Sequence, residues 1–291
     1  MKPAPFELHR PERVEHVLSL LADHGDEAKL LAGGQSLVPM LALRLARFEH
    51  LVDLNEVQGL TGIERGDGAL RIGACVRHRS LERDDAVAGA VPLLARATPL
   101  VGHFQIRNRG TLGGSLAHAD PAAELPAVAV TLDATMEVVS AGGRRDVAAR
   151  DFFQGTWTTA LEADELLVAA RYPVWDGRCG FAVEEVARRH GDFALVGVTC
   201  AVAVGDDSVS RAAVGLFGVD GRPVRATAAE AALVGAGKDL EPAALAELAQ
   251  LAVAELDPPD DLHAPGWYRR ETGAVLVQRA LARALGEAFD A

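Results

Sequence analysis

Leu30-Leu31-Ala32-Gly33-Gly34-Gln35-Ser36-Leu37 and, about eighty residues further on, Arg109-Gly110-Thr111-Leu112-Gly113-Gly114-Ser115-Leu116 share a plan. Each follows an apolar or loop segment, places two adjacent glycines at a reversal, and continues with a hydroxyl residue. A glycine admits positive φ and lets another group approach the backbone without a Cβ in the way. Successive N–H groups in such a turn converge into an anion-binding concavity. Two of them brought together suit a pyrophosphate, so a dinucleotide is the first ligand to consider. Neither G-x-G-x-x-G nor a Walker-A segment occurs, which weighs against NAD in a Rossmann site and against a nucleoside triphosphatase. Gly-Gly also serves in plain turns, as Gly142-Gly143 does between two alternating runs. Spacing by itself does not name the ligand.

The rest of the chain bounds the answer. It has 291 residues, 49% of them hydrophobic and 24% charged, enough for two or three domains with ample core. A net charge of −12 argues against nucleic acid, whose phosphates demand a basic footprint. Backbone donors would hold a pyrophosphate in such a protein without added side-chain charge. Cys75, Cys179 and Cys200 are far apart and form no disulfide framework, metal motif or cluster motif. No apolar signal core or membrane-length run is present, so a cytoplasmic protein without a membrane span is expected.

Residues 1–55 read as an α/β unit. A helix opens at Pro11-Glu12 and ends near Gly25; strand, helix and strand then span 29–54, implying parallel strands. Leu37, Met40, Leu41 and Leu45 are expected to face inward on the crossover helix. Residues 56–176 read as a second unit, with a strand at 69–74, helical runs at 85–98 and 122–132, a hairpin over 136–147 and a strand at 166–170. The second glycine segment falls in a loop on this reading. Residues 177–291 form a third unit: three antiparallel strands at 181–187, 195–204 and 209–219, then helical segments at 226–234, 241–256 and 267–285. The whole is α+β.

Sequence context adds what spacing cannot. Leu30–Leu45 (LLAGGQSLVPMLALRL) and Val101–Pro126 (VGHFQIRNRGTLGGSLAHADPAAELP) closely resemble the FAD-binding subunit of molybdenum hydroxylases, in particular the medium subunit of the aerobic carbon monoxide dehydrogenase type. The likeness continues through 151–155, 184–194, 267–270 and 277–281, so it covers nearly the whole chain in order. It implies a two-subdomain FAD-binding fold of the PCMH or vanillyl-alcohol-oxidase type, followed by a C-terminal domain of three antiparallel strands and a helical bundle. It also implies FAD as cofactor. Ala32, Gly33, Gly34, Gln35 and Ser36 would clasp the pyrophosphate together with Thr111, Gly113, Gly114 and Ser115. Leu31, Leu37, Val101 and Gly102 would line the flavin or its chain. Glu124 would reach the adenosine ribose, Leu167 would pack near the isoalloxazine, and Phe193 would lie against it. His118, just past the second motif, joins the candidate contacts. Ser115 stands where the family often has Asp or Asn, which shortens its reach, and Phe193 lacks the hydroxyl of a tyrosine.

The implied partners are a large subunit with a molybdenum cofactor and a small subunit with two [2Fe–2S] clusters. Electrons would leave to a quinone, a cytochrome or oxygen, and the family assembles as a dimer of heterotrimers. No residue is singled out as catalytic or as a metal ligand. His78, His103 and His190 read as loop or packing histidines, and Phe152, Phe153 and Trp157 as core. Arg107 and Arg109 would support the second glycine segment by bonding carbonyls, or would face a partner. Two other readings stay open at this stage: a self-sufficient FAD oxidase of the same fold, and a scaffold that has lost FAD.

Overall fold

The structure is a computed structural model that describes residues 2–238 and 240–291. Three sheets organise it. The first holds β1 (Glu7–His9), β2 (Ala28–Leu31) and β3 (His50–Asp53) in the order β1-β3-β2, all parallel. The helix Val14–His24 crosses from β1 to β2 and buries Val17, Leu20 and Leu21; Gly25 at φ 50° ends it. Strand β1 was not foreseen, because three residues are too few to display an alternation. The crossover helix is only Leu37–Ala42, and of its apolar face Leu41 alone is buried. Leu45, expected inside, is 73% exposed beyond the helix end.

The second sheet is antiparallel. It takes β4 (Ile63–Gly66), β5 (Ala69–Gly73), β6 (Thr135–Ser140), β7 (Gly143–Ala148) and β10 (Leu166–Pro173) in the order β4-β5-β10-β6-β7. A small ribbon, β8 (Phe153–Gly155) with β9 (Thr158–Thr159), lies between. The single helical run expected over 85–98 is split into Asp85–Ala90 and Pro92–Ala97, since Pro92 has no N–H to continue the first helix and starts the next. Both helices, with Leu112–His118 and Glu124–Thr131, share a core with Leu70, Ile72, Met136, Phe152, Phe153 and Tyr172. Trp157 is not core as expected; it is 65% exposed, at φ 54°.

The third sheet is β11 (Arg178–Ala187), β12 (Ala194–Gly205), β13 (Ser208–Phe217) and β14 (Val224–Arg225), antiparallel and in sequence order. The two-residue β14 adds a fourth strand to the three anticipated. The helices Thr227–Leu233, Pro242–Val253 and Gly266–Asp290 cover this sheet, and Gly180 admits the long last helix so closely that a Cβ would stand 2.7 Å from the Ala288 nitrogen.

The last two layers are pinned together by polar groups. Arg225 binds Glu230 in a fork (Nε–Oε1 2.5 Å, Nη2–Oε2 2.8 Å) and donates through Nη1 to the carbonyls of Val130 and Thr131 at 3.1 Å each. It therefore satisfies the carbonyl end of the helix Glu124–Thr131. A buried hydroxyl pair, Thr131 with Thr199 at 2.7 Å, lies beside it. Arg96 reaches Glu287 on the last helix (Nη2–Oε1 2.5 Å).

Candidate cofactor site

The two glycine segments touch. A Cβ at Gly33 would stand 2.7 Å from the Gly110 Cα and within contact of the Arg109 carbonyl, and one at Gly114 would stand 3.6 Å from the Ala32 Cβ. Of Gly33, Gly34, Gly113 and Gly114, only Gly34 has positive φ, at 72°. The others are glycines because backbone or side chain presses on them: a Cβ at Gly113 would stand 2.8 Å from the Ala74 Cα, and one at Gly114 would stand 2.7 Å from the Thr111 hydroxyl.

The segments do different work. The second is not a loop but the first turn of the helix Leu112–His118, with Thr111 as N-cap accepting from the Gly114 N–H at 3.0 Å. Its other early donors are also engaged: Leu112 N–H to Val76 and Gly113 N–H to Ala74, at 3.0 and 2.8 Å. The first segment is open. Among the described residues, no group accepts from the amides of Gly33, Gly34, Gln35 or Ser36, and the Ser36 hydroxyl makes no cap bond. Gln35 folds back to donate to the Gly33 carbonyl at 3.1 Å, fixing the turn.

A polar network braces both segments from behind. Asn55, just after β3, donates to the Ala32 carbonyl at 3.2 Å and accepts from Arg77 Nη2 at 2.6 Å. Arg77 also donates to the Arg109 carbonyl. His78 is 3% exposed; its N–H donates to the Gly110 carbonyl at 3.0 Å, and its ring Nε2 lies 2.8 Å from the Thr111 carbonyl and 3.1 Å from the Ser115 hydroxyl. A carbonyl only accepts, so Nε2 carries the hydrogen. Burial, against the Thr111 bond, pulls the His78 pKa down to about 4, and the ring is neutral. Sequence reasoning left His78 as a packing histidine, which it is, but it missed Asn55 and Arg77. Nothing in their local pattern marks them; only the fold brings them to the turns.

Around this clasp the remaining candidates fall into place unevenly. Arg107 is buried and donates to the carbonyls of Val101 and Gly102 at 3.2 and 2.9 Å, fixing the segment that enters the site; Gly102 itself sits at φ 51°. The β11–β12 hairpin folds onto this segment: Gly191 lies against the His103 ring (a Cβ would be 2.7 Å away), and Phe193 beside it is 61% exposed. His118 closes its helix next to Trp157, with ring centroids 6.4 Å apart. Burial lowers its pKa. Leu167 is buried in the central core on β10. Glu124, first residue of its helix, is only 5% exposed. Burial above all, with help from Glu185 and Asp120, pushes its carboxyl up to about 8. Glu185 on β11 is pushed up to about 7 by burial, and its Oε2 is buried with no partner among the described residues.

Residues 4–175 match the family model for the FAD binding domain in molybdopterin dehydrogenase, and residues 181–284 match that for the CO dehydrogenase flavoprotein C-terminal domain. The chain belongs to this FAD-binding family. The 6-hydroxypseudooxynicotine dehydrogenase complex subunit alpha of Paenarthrobacter nicotinovorans is 39% identical over 99% of this chain and 97% of its own length. The carbon monoxide dehydrogenase medium chain of Afipia carboxidovorans is 36% identical, covering 99% of both. Among solved structures, carbon monoxide dehydrogenase from Hydrogenophaga pseudoflava superposes with a TM-score of 0.95 at 38% identity over 99% of each chain. Quinoline 2-oxidoreductase from Pseudomonas putida 86 gives 0.94, at 38% identity over 99% of this chain and 100% of that one. The flavoprotein chain is an oxidoreductase component with FAD as its cofactor, and the α+β architecture expected from sequence is the one observed.

The residues present fit that cofactor. The open amides of 33–36 suit a pyrophosphate, and the unpartnered oxygen of Glu185 beside Glu124 suits hydroxyl donors such as a ribose diol. Among the described residues no helix of the flavoprotein chain is long and apolar enough to cross a membrane.

Proposed function

We propose that this chain is the flavoprotein relay of a heteromeric molybdenum hydroxylase, taking electrons from the [2Fe–2S] clusters of a small subunit and delivering them to an external acceptor. A separate large subunit with the molybdenum cofactor would oxidise the substrate. The observation that carries this reading is the contact between the two glycine segments, with the amides of Gly33, Gly34, Gln35 and Ser36 left open at it. FAD, when bound, supplies the electron-accepting and electron-donating chemistry; the chain supplies grip and placement.

On this reading Gly33–Ser36 donate to the pyrophosphate, and Ala32, Thr111, Gly113 and Gly114 permit the close approach that shapes the floor. Ser115 acts from behind, through His78, in keeping with its short reach. Glu124, with Glu185, accepts from the ribose hydroxyls. Leu31, Leu37, Val101, Gly102 and His118 wall the cofactor, Leu167 backs the ring system from the core, and exposed Phe193 covers its open side. Residues 1–55 and 56–176 would hold the cofactor between them, while 177–291 contributes the Phe193 hairpin. The three free cysteines fit a reducing cytoplasm. Heterotrimers paired into dimers are the assembly we propose.

The test is substrate-driven bleaching of flavin absorbance. The chain purified alone, offered small alcohols and aldehydes, should not bleach; co-purified with its large and small subunits, it should bleach when their substrate is added. Turnover by the chain alone would favour a self-sufficient flavin oxidase and overturn the relay.

A further inference from the structure

Outside the clasp, three histidines meet on the first sheet. His9 ends β1, His24 ends the helix Val14–His24, and His50 opens β3. Each offers a ring nitrogen, and these nitrogens all lie within 4.8 Å of one another. His9 Nε2 is 3.0 Å from His50 Nδ1, and the His24 ring stacks on His50 at 3.7 Å between centroids. Carboxylates surround them: Glu7 Oε2 lies 3.6 Å from His50 Nδ1, and oxygens of Glu27 and Glu49 come within 4.8 Å of a His50 nitrogen. All three rings are half-buried.

We propose that His9, His24 and His50 form a binding site for a divalent first-row transition ion, Zn2+ in the first instance, with Glu7 placed to complete the coordination. Imidazole nitrogen suits this class of ion. Zn–N bonds of about 2.0–2.1 Å in tetrahedral geometry place ligand nitrogens about 3.4 Å apart, close to the 3.0 Å between His9 Nε2 and His50 Nδ1. His24 must turn out of its stack to present its lone pair, a side-chain rotation that its place at a helix end permits. The flanking carboxylates lower the local potential for a cation. The benefit is structural. Strand β1 is an edge of three residues paired only to β3, and of its residues only His9 is half-buried while Glu7 and Leu8 are exposed. An ion held by His9, His50 and His24 would clamp that edge to the centre of the sheet and to the helix that crosses it. No metal ligand is expected from the sequence, because these residues are too widely separated for a spacing motif, and only the parallel pairing collects them.

The experiment is a Zn2+ titration of the full chain, freed of any affinity tag and competed against a chromophoric chelator, with thermal unfolding recorded in parallel. The expected result is one Zn2+ per chain, a higher Tm with the ion, and loss of both effects in His24→Ala and His50→Ala but not in His16→Ala, an exposed histidine on the same helix as His24. Absence of stoichiometric binding, or binding unchanged in the His24 and His50 variants, would overturn the proposal. Should those variants fail to fold, zinc-edge X-ray absorption on the wild-type chain decides: three imidazole nitrogens support the site, and a shell without them refutes it. Neither result depends on how the flavin is held.

Discussion

Gly33 rests against the backbone of Gly110: a side-chain carbon at Gly33 would come within 2.7 Å of the Gly110 Cα. The obstacle is main chain, so nothing flexible can yield. Gly33→Ala should therefore part the two segments, costing about 1–3 kcal/mol as overpacking does, and release FAD. Gly142→Ala, where a Cβ meets only the Ser140 hydroxyl at 3.5 Å, should leave both Tm and flavin content near wild type. Calorimetry and the ratio of flavin to protein absorbance read the two effects.

Arg77 links Asn55 to the Arg109 carbonyl and so ties the end of β3 to the second glycine segment. Arg77→Ala leaves two acceptors short of a donor, and about 1–3 kcal/mol of stability should go with them. A structural role alone predicts loss of Tm. The bracing role further predicts that FAD affinity falls in the folded variant, measurable by fluorescence titration.

Glu124 gives a pH dependence with a definite sign. Its folded pKa, about 8, lies above the ordinary 4.5, so across that interval the native state keeps a proton that the unfolded state releases. Stability from this group is whole below about pH 4.5 and declines as pH rises to about 8. Glu124→Gln removes the penalty. In the flavin-free chain it should raise Tm at pH 8.5 by more than at pH 5.5; equal increments at both would show that the carboxyl is not held neutral.

Arg225 makes the fork to Glu230 and caps the helix that begins with Glu124. Glu230 also accepts from the Val214 N–H at 2.8 Å. Removing one partner of a largely buried pair strands the other, so Arg225→Ala should cost about 3–5 kcal/mol. Chemical denaturation should show it as a lower midpoint.

Much of this was legible in the residues themselves. The parallel β2 and β3, the hairpin of β6 and β7, and the long strands β11 to β13 each carry enough apolar periodicity or turn chemistry to declare themselves. The glycine pairs were legible as special, but the reason differs from the obvious one. Only Gly34 needs its conformational freedom; the other three need absence of volume, which depends on neighbours that no local window contains. The same holds for Asn55, Arg77 and the three clustered histidines, whose meaning arises when distant segments pair. Trp157 and Leu45 misled because large apolar residues are usually buried, and here both are exposed. The FAD identity itself came from flanking sequence, not from the physics of the turns.

In the proposed function the first glycine segment grips a pyrophosphate with its open amides. The direct measurement is titration of the flavin-free chain with FAD and with riboflavin, which has the same ring system and no phosphate. Two or more charge-assisted bonds, at about 1.5–3 kcal/mol each, predict one FAD per chain and riboflavin weaker by about 100-fold or more, with the advantage abolished in Gly33→Ala. Riboflavin binding as tightly as FAD, or an undiminished FAD preference in Gly33→Ala, would contradict it.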